Sequence, residues 1–333
     1  AAFENLILIG DYKGFISIFT KEGKKLEKGI QKQVSKNKIE ALIVVEKIKI
    51  LYILAGGNLY IFDLPTLADK TPKDSEKESK DLKDIVKIVK NEKEENSEQL
   101  GIINKKKQLI FMDYNTEMVR LRRCDFKDSE GNLFEINIKE IPDYIKWYGK
   151  YICYSYSSKK ENKVFFMTLN AEKGTIVPKT QSQDIPLKYI EYIQSSWIVI
   201  TDGFGLFFSN EGETLGKSML NMNMNEEFIG MEIYNDVYIV ILYKGCISVY
   251  DYNDGSCVQE LTTDTTNVPV SKFLSKGIKN IYIVIITKQN EKEKKENYDS
   301  RLWEVRELSF NKQIDLLLKH NQLDIFDYVI LII

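Results

Sequence analysis

A short glycine-containing run, GFGLFF from Gly203, is the nearest approach to a nucleotide-binding loop in this chain. It carries two of the three glycines of a dinucleotide fingerprint and joins two apolar strands. Pyrophosphate recognition needs such a run to open a helix, whose first N–H groups meet the phosphates, so Gly203 reads as part of a hairpin turn. DYNDG from Asp251 begins like a calcium loop. Its fifth and sixth positions are Gly255 and Ser256 and its twelfth is Thr262, so the EF-hand ligand set fails. Any Ser-His-Asp system must use the sole histidine, His320, which is remote in sequence from the strand-rich body. Cys124, Cys153, Cys246 and Cys257 form no C-x-x-C pair, and with one histidine they cannot complete a zinc site. They read as small apolar thiols; Cys246 and Cys257 flank one predicted strand and its turn, which leaves a cross-strand contact open. Asp11, Asp113, Asp202 and Asp251 recur at predicted strand ends, where hairpins favour aspartate without any catalytic demand. With no P-loop and no basic-aromatic nucleic-acid signature, the expectation is a non-enzymatic chain without cofactor, metal or nucleic-acid partner.

Those residues sit in a chain of 333 with 43% hydrophobic and 29% charged side chains, ordinary for a globular protein. Lysine plus arginine number 47 and aspartate plus glutamate 49, and the net charge of −2 exerts no general pull on nucleic acid or anionic lipid. Apolar runs such as 281–286 are far shorter than the roughly 18 residues that span a bilayer. The chain reads as cytoplasmic.

The organising signal is a repeat: an apolar strand, a turn rich in Gly, Asp or Asn, and a second apolar strand. It is plainest at LILIGDYKGFISIF (6–19), ILYILAGGNLYIF (50–62), WIVITDGFGLFFS (197–209) and VYIVILYKGCISVY (237–250). Weaker versions occupy 108–121 and 151–169, and the last pairs IYIVIITKQ with RLWEVREL. The units recur at roughly 40–46 residues, the period of four-stranded propeller blades. The predicted fold is all-β, a seven-bladed β-propeller over 1–309, because a lone four-stranded sheet has no partner for its apolar faces.

Two segments break the pattern. Residues 69–99 are dense in Lys, Glu, Asp and Ser and read as a charged, disordered insertion, within which DLKDIVKIVK has helical spacing. Residues 288–300 read as a solvated hairpin loop. After 310 the period changes. Ile314, Leu317, Leu318 and Asn321 fall on one helical face, Lys319 and His320 suit its last turn, and a second helix is expected from Leu323 to the end. Residues 310–333 thus read as the start of an α-helical solenoid, with Ile314, Leu317, Leu318, Leu323 and Phe326 as its packing face.

Several segments, in order, resemble the citron-homology domain as found at the N-terminus of subunits of the HOPS and CORVET vacuolar tethering complexes and of the TGF-β-receptor-associated protein. LILIGDYKGFISIF is similar to that family's opening blade, and ILYILAGGNLYIFDLPTL to its second, which ends in D-L-P-T. FEINIKEIPDYIKWYGKYICYSY places Pro142, Asp143, Trp147, Gly149, Ile152 and Cys153 on matching positions. WIVITDGFGLFFSNEGE matches through Asp202, Gly205, Phe207 and Gly212, and the C-terminal segment through Trp303, Gln313, Ile314 and Leu317. The family's terminal tryptophan after GIINKKKQLIFMDYN, its prolines after Trp303 and its Ala-Leu in the second helix are absent.

The resemblance implies a non-catalytic propeller that recognises a Rab-family GTPase or another tether component. Its other partners would be further tethering-complex subunits, and it would sit peripherally on endosome, vacuole or lysosome membranes through them. Which propeller residues touch the partner is not legible. The alternative is the same module in a small-GTPase signalling protein of the kinase or Rho exchange-factor type.

Overall fold

A computed structural model describes residues 1–4, 6–22, 25–71, 82–93, 98–115, 120–124, 136–158, 161–172, 175–185, 187–201, 203–216, 220–222, 226–262, 269–276, 281–288, 298–307 and 330–332. Apart from one 3-10 turn at Glu46–Ile48, the regular structure among these residues is antiparallel sheet. The chain divides into two compact units, residues 1–202 with 206–215, and residues 203–205 with 216–333.

Strands pair in chain order, so that each sheet is a meander. The first sheet is β1 (Ala2–Phe3), β2 (Leu6–Gly10), β3 (Phe15–Glu22) and β4 (Lys25–Gln33). The second is β5 (Ile39–Val45), β6 (Ile50–Ala55) and β7 (Asn58–Asp63). The third is β8 (Ile85–Lys90), β9 (Gln99–Asn104), β10 (Gln108–Asn115) and β11 (Arg120–Cys124), with β12 (Ile136–Asn137) also paired to β10. The fourth is β13 (Tyr144–Tyr148), β14 (Tyr151–Ser157), β15 (Asn162–Glu172) and β16 (Thr175–Asp184). The fifth is β17 (Tyr189–Ile193), β18 (Ser196–Ile200), β19 (Phe204–Phe208) and β20 (Leu220–Asn221). The second unit holds β21 (Phe228–Tyr234), β22 (Tyr238–Tyr243), β23 (Cys246–Asp251) and β24 (Cys257–Thr262), then β25 (Pro269–Lys276), β26 (Ile281–Lys288), β27 (Tyr298–Glu307) and β28 (Ile330–Ile332). In the first unit β5, β8, β13 and β17, each the first strand of its sheet, are successive neighbours; β21 and β25 are neighbours in the second.

Central strands such as β6 and β22 are apolar along their length because both their faces are covered. In β6, Leu51 and Ile53 pack with Leu8, Ile16 and Ile18 of the first sheet. Tyr52 and Leu54, pointing the other way, pack with Leu100, Ile102 and Met112 of the third. The same alternation continues. Ile103 and Phe111 meet Trp147, Ile152 and Met167, while Cys153 and Phe166 meet Trp197 and Phe208. Period-two side-chain direction and two-sided burial together produce unbroken runs such as ILYILA.

Two expectations are corrected and one open point is decided. Within 69–99, Ile85–Lys90 is a strand and not a short helix or loop: Ile85, Ile88 and Val89 are buried, and β8 pairs with β9. A register shift between Ile85 and Lys87 moves the later residues out of simple alternation, which is why the buried positions mimic helical spacing. At the C-terminus, Ile330–Ile332 is paired to β27, where a second helix was expected; consecutive Ile and Leu suit a strand. The rest of 310–329 lies outside the described residues. Cys246 and Cys257 sit at opposite ends of their hairpin, since Cys246 faces Thr262 and Cys257 faces Tyr250.

Ile53→Ala in this core is expected to cost roughly 2–5 kcal/mol in chemical denaturation of the chain. Ile30→Ala, at a position 45% exposed on β4, is expected to stay within about 0.5 kcal/mol. Equal losses at the two positions would contradict two-sided burial as the source of stability.

Candidate interaction surface

The PDYIKWYGKYIC segment becomes intelligible at the junction of the third and fourth sheets. Fully buried Asn91, just after β8, makes a parallel bridge to Trp147. Its Oδ1 accepts the N–H of Gly149 at 2.7 Å and that of Lys93 at 3.2 Å. Its Nδ2 donates to Gln99 Oε1 at 2.9 Å and to Gly149 O at 3.1 Å. Trp147 Nε1 also donates to Gly149 O, at 2.7 Å, and the indole meets Phe111 edge-on with centroids 4.9 Å apart. Gly149 turns there with φ of 57°, a conformation that costs glycine little. The side chain of one sheet thus completes the hairpin of the next.

Similar fastenings run along one edge of the first unit, where hairpin tips meet the entry of the following sheet. Asp11 Oδ1 accepts the N–H groups of Lys13 and Phe15, both at 2.8 Å, and Asp11 O accepts Ile39 N–H at 2.9 Å. Gly14 O accepts Val34 N–H at 2.9 Å; a Cβ on Gly14, which has φ of 79°, would stand 2.6 Å from Asn37 O. Ile85 N–H donates to Gly57 O, Lys105 N–H to Asp84 O and Ile138 N–H to Lys107 O, each at 2.9 Å. Ion pairs Lys105–Asp84 (2.8 Å), Lys107–Glu140 (2.7 Å) and Lys139–Glu161 (2.6 Å) lie along the same edge. Tyr156 OH donates to Glu161 at 2.6 Å, and the Lys139 and Tyr156 hydrogen bonds hold the Glu161 carboxyl down at a pKa of about 2. Lys139 is shifted upward by the same contacts.

A cleft of about 220 Å³ opens between β5, β8 and β13. Leu54, Val86 and Ile145 supply apolar lining; Glu40, Lys87, Asp143 and Tyr144 supply polar groups. Lys87 Nζ donates to Pro142 O at 2.8 Å and also to Asp143 O, and burial pushes its pKa down against the opposing pull of Asp143. Tyr144, 37% exposed, meets Tyr189 edge-on at 5.8 Å, and Lys146 pairs with Glu191 at 2.7 Å. An amine committed to two carbonyls, beside aromatic rings and exposed carboxylates, is equipped to hold a partner's side chain rather than to attack it.

Asp11 and Asp251 are turn formers; Asp251 Oδ1 accepts Asn253 N–H at 2.7 Å. Asp113 is exposed in mid-strand opposite Gln99 and Arg122, away from any hairpin tip. Asp202 and the solenoid-face residues Ile314, Leu317, Leu318, Leu323 and Phe326 lie outside the described residues, as does His320. Cys153 and Cys246 are buried, and desolvation pushes the Cys153 thiol up. Among the described residues no cluster of His, Cys, Asp or Glu is placed to hold a metal ion, and no helix is long and apolar enough to cross a membrane. Asn91, Lys87 and Tyr144 were missed by sequence reasoning. The first two fall in the charged stretch that reads as loop, and nothing in the local pattern marks them.

Serial antiparallel meanders, most of them four-stranded, with neighbouring first strands define a propeller-type fold, and solved structures of that class share it. Matches include the Neurospora crassa Pan2 WD40 domain (TM-score 0.57, 13% identity, covering 85% of this chain and 84% of that one). Kluyveromyces lactis Hsv2 matches at TM-score 0.56 and 7% identity, covering 90% and 94%; BBS1N, solved in complex with ARL6DN, matches at 0.54 and 12%, covering 84% and 83%. No curated protein matches the sequence. Residues 4–272 match the CNH domain, and the chain belongs to that family. CNH and WD40-like propellers generally act as interaction modules.

Asn91→Ala should cost about 3 kcal/mol, because it leaves the Gly149 and Lys93 N–H groups without their acceptor; a loss below about 1 kcal/mol in denaturant titration would contradict that role. Because the folded pKa of Glu161 lies below its ordinary 4.5, its contribution is present above that pH and disappears as pH falls through about 2. NMR titration of the Glu161 carboxyl should show the depressed midpoint in the native chain and a rise toward 4.5 in Lys139→Ala.

Proposed function

We propose that this CNH domain is the seven-bladed N-terminal propeller of an endolysosomal membrane-tethering subunit of the HOPS/CORVET kind, with each sheet one blade. It recognises a Rab-family GTPase or another tether component, and a helical solenoid following the propeller joins it to the other subunits. The observation that carries this reading is the CNH match over residues 4–272, together with the ordered resemblance of individual blades. The Asn91–Trp147–Gly149 junction supports it, because the residues behind the W-x-G part of that resemblance hold two sheets together. BBS1N, a chain of the same fold, has been solved in a complex with a partner, ARL6DN. Recognition uses rigidly held loops and the cleft bearing Lys87, Asp143 and Tyr144; a GTP-loaded switch presents a surface that the GDP form lacks.

Affinity purification of the full-length protein from its own cells should recover other tether subunits and a Rab. Recovery of Rho-type regulators in their place would move the chain to the signalling class. In direct binding, residues 1–333 should prefer the GTP-loaded Rab, and Tyr144→Ala should weaken that binding by about tenfold, the scale of an interface anchor. Equal binding of both nucleotide states would remove the switch-recognition reading.

A further inference from the structure

The edge that carries the hairpin tips of the first three sheets bears a charge unlike that of the whole chain. Lys13, Lys36, Lys38, Lys83, Lys105 and Lys106 are all exposed there, on loops fastened to one another by the Gly14–Val34, Gly57–Ile85 and Asp84–Lys105 hydrogen bonds. Most carboxylates among those loops are engaged, Glu40 at the start of β5 being the exposed exception. Asp11 caps two backbone N–H groups, Asp84 pairs with Lys105, and Glu140 pairs with Lys107. Asp143, at the far end, accepts the Ser157 N–H. Lys36 and Lys38 make no ion pair among the described residues, Lys106 shares Asp84 with Lys105 at longer range, and Lys13 lies 5.4 Å from the ring of Tyr12. Tyr12 is itself 74% exposed at the tip of the β2–β3 hairpin, and Ile141 is 40% exposed at the other end of the run.

We propose that this edge docks directly on the headgroup layer of an anionic lipid bilayer, with Tyr12 and Ile141 entering the interfacial region. Three features favour a membrane over an acidic protein. The cations named are all lysines, compact hydrated charges suited to a diffuse anionic layer, with no arginine to fork onto a single carboxylate or phosphate. They are spread along consecutive loops instead of converging in a groove. An exposed tyrosine beside them has the amphipathic character that favours the membrane–water boundary. This goes beyond recognition of a GTPase or tether subunit: the propeller would add its own contact to the membrane, and that contact does not require the partner.

The test is co-sedimentation of residues 1–333, without any Rab or tether subunit, with vesicles of phosphatidylcholine alone or mixed with phosphatidylserine. Binding to the mixed vesicles only, weakened by added salt, is expected. Lys36→Ala, Lys38→Ala and Lys106→Ala should each weaken it about fivefold, and Lys28→Ala, an exposed lysine on β4, should leave it unchanged. Tyr12→Ala should weaken it with the salt dependence retained. All five are exposed positions, and an unchanged thermal melt establishes folding. Equal binding to both vesicle types, indifference to the three lysine substitutions, or binding to polyglutamate without binding to vesicles would each overturn the proposal.

Discussion

Two-sided burial of the central strands is the constraint on which the rest depends. A sheet such as β5–β7 has apolar side chains on both faces, Leu51 and Ile53 toward one neighbour and Tyr52 and Leu54 toward the other. It cannot shield either face by itself, so each sheet needs a flanking sheet at a set distance and register. That requirement turns a sequence repeat into a serial stack, and it makes stability in the first unit a property of junctions more than of individual sheets.

The junctions then explain residues that packing alone would not require. Asn91 is fully buried, yet all of its side-chain hydrogen-bonding groups are engaged with Gly149, Gln99 and Lys93. A satisfied buried amide specifies a position more sharply than another apolar contact, because any displacement leaves groups unpaired. Farther out, Asp11 and Gly14 hold the β2–β3 hairpin against the entry to the second sheet. Hairpin tips fastened in this way form a fixed platform, which is why exposed side chains on them, Tyr12 and the lysines above all, keep a defined arrangement without a core of their own.

Strand hairpins with an apolar pair and a Gly or Asp turn were legible in the sequence: 6–19, 50–62 and 237–250 all fold as read. Outer strands were not. KLEKGIQKQ in β4 is exposed over Glu27–Gln31 and carries lysines that discourage pairing of an open edge, so it has no hydrophobic period to detect. Ile85–Lys90 was misread because its bulge breaks strand alternation and imitates a helix. The cleft and its Lys87, Asp143 and Tyr144 were invisible as a set, since they come from two different sheets and none belongs to a catalytic spacing.

By itself, the sequence determined the strand content, the repeat period, the positions of the main turns and the resemblance to the CNH domain, which the family match over residues 4–272 bears out, because each follows from side-chain type within a few neighbouring residues. Only the tertiary structure decided which face of each strand meets which neighbour, that Asn91 completes the Gly149 hairpin, and that Cys246 and Cys257 stand apart. It also decided that a chain with a net charge of −2 presents an edge of lysines along which Asp84 and Glu140 are held in ion pairs. Register and non-local pairing set those outcomes, and a composition averages over the very separation of charges that the fold creates.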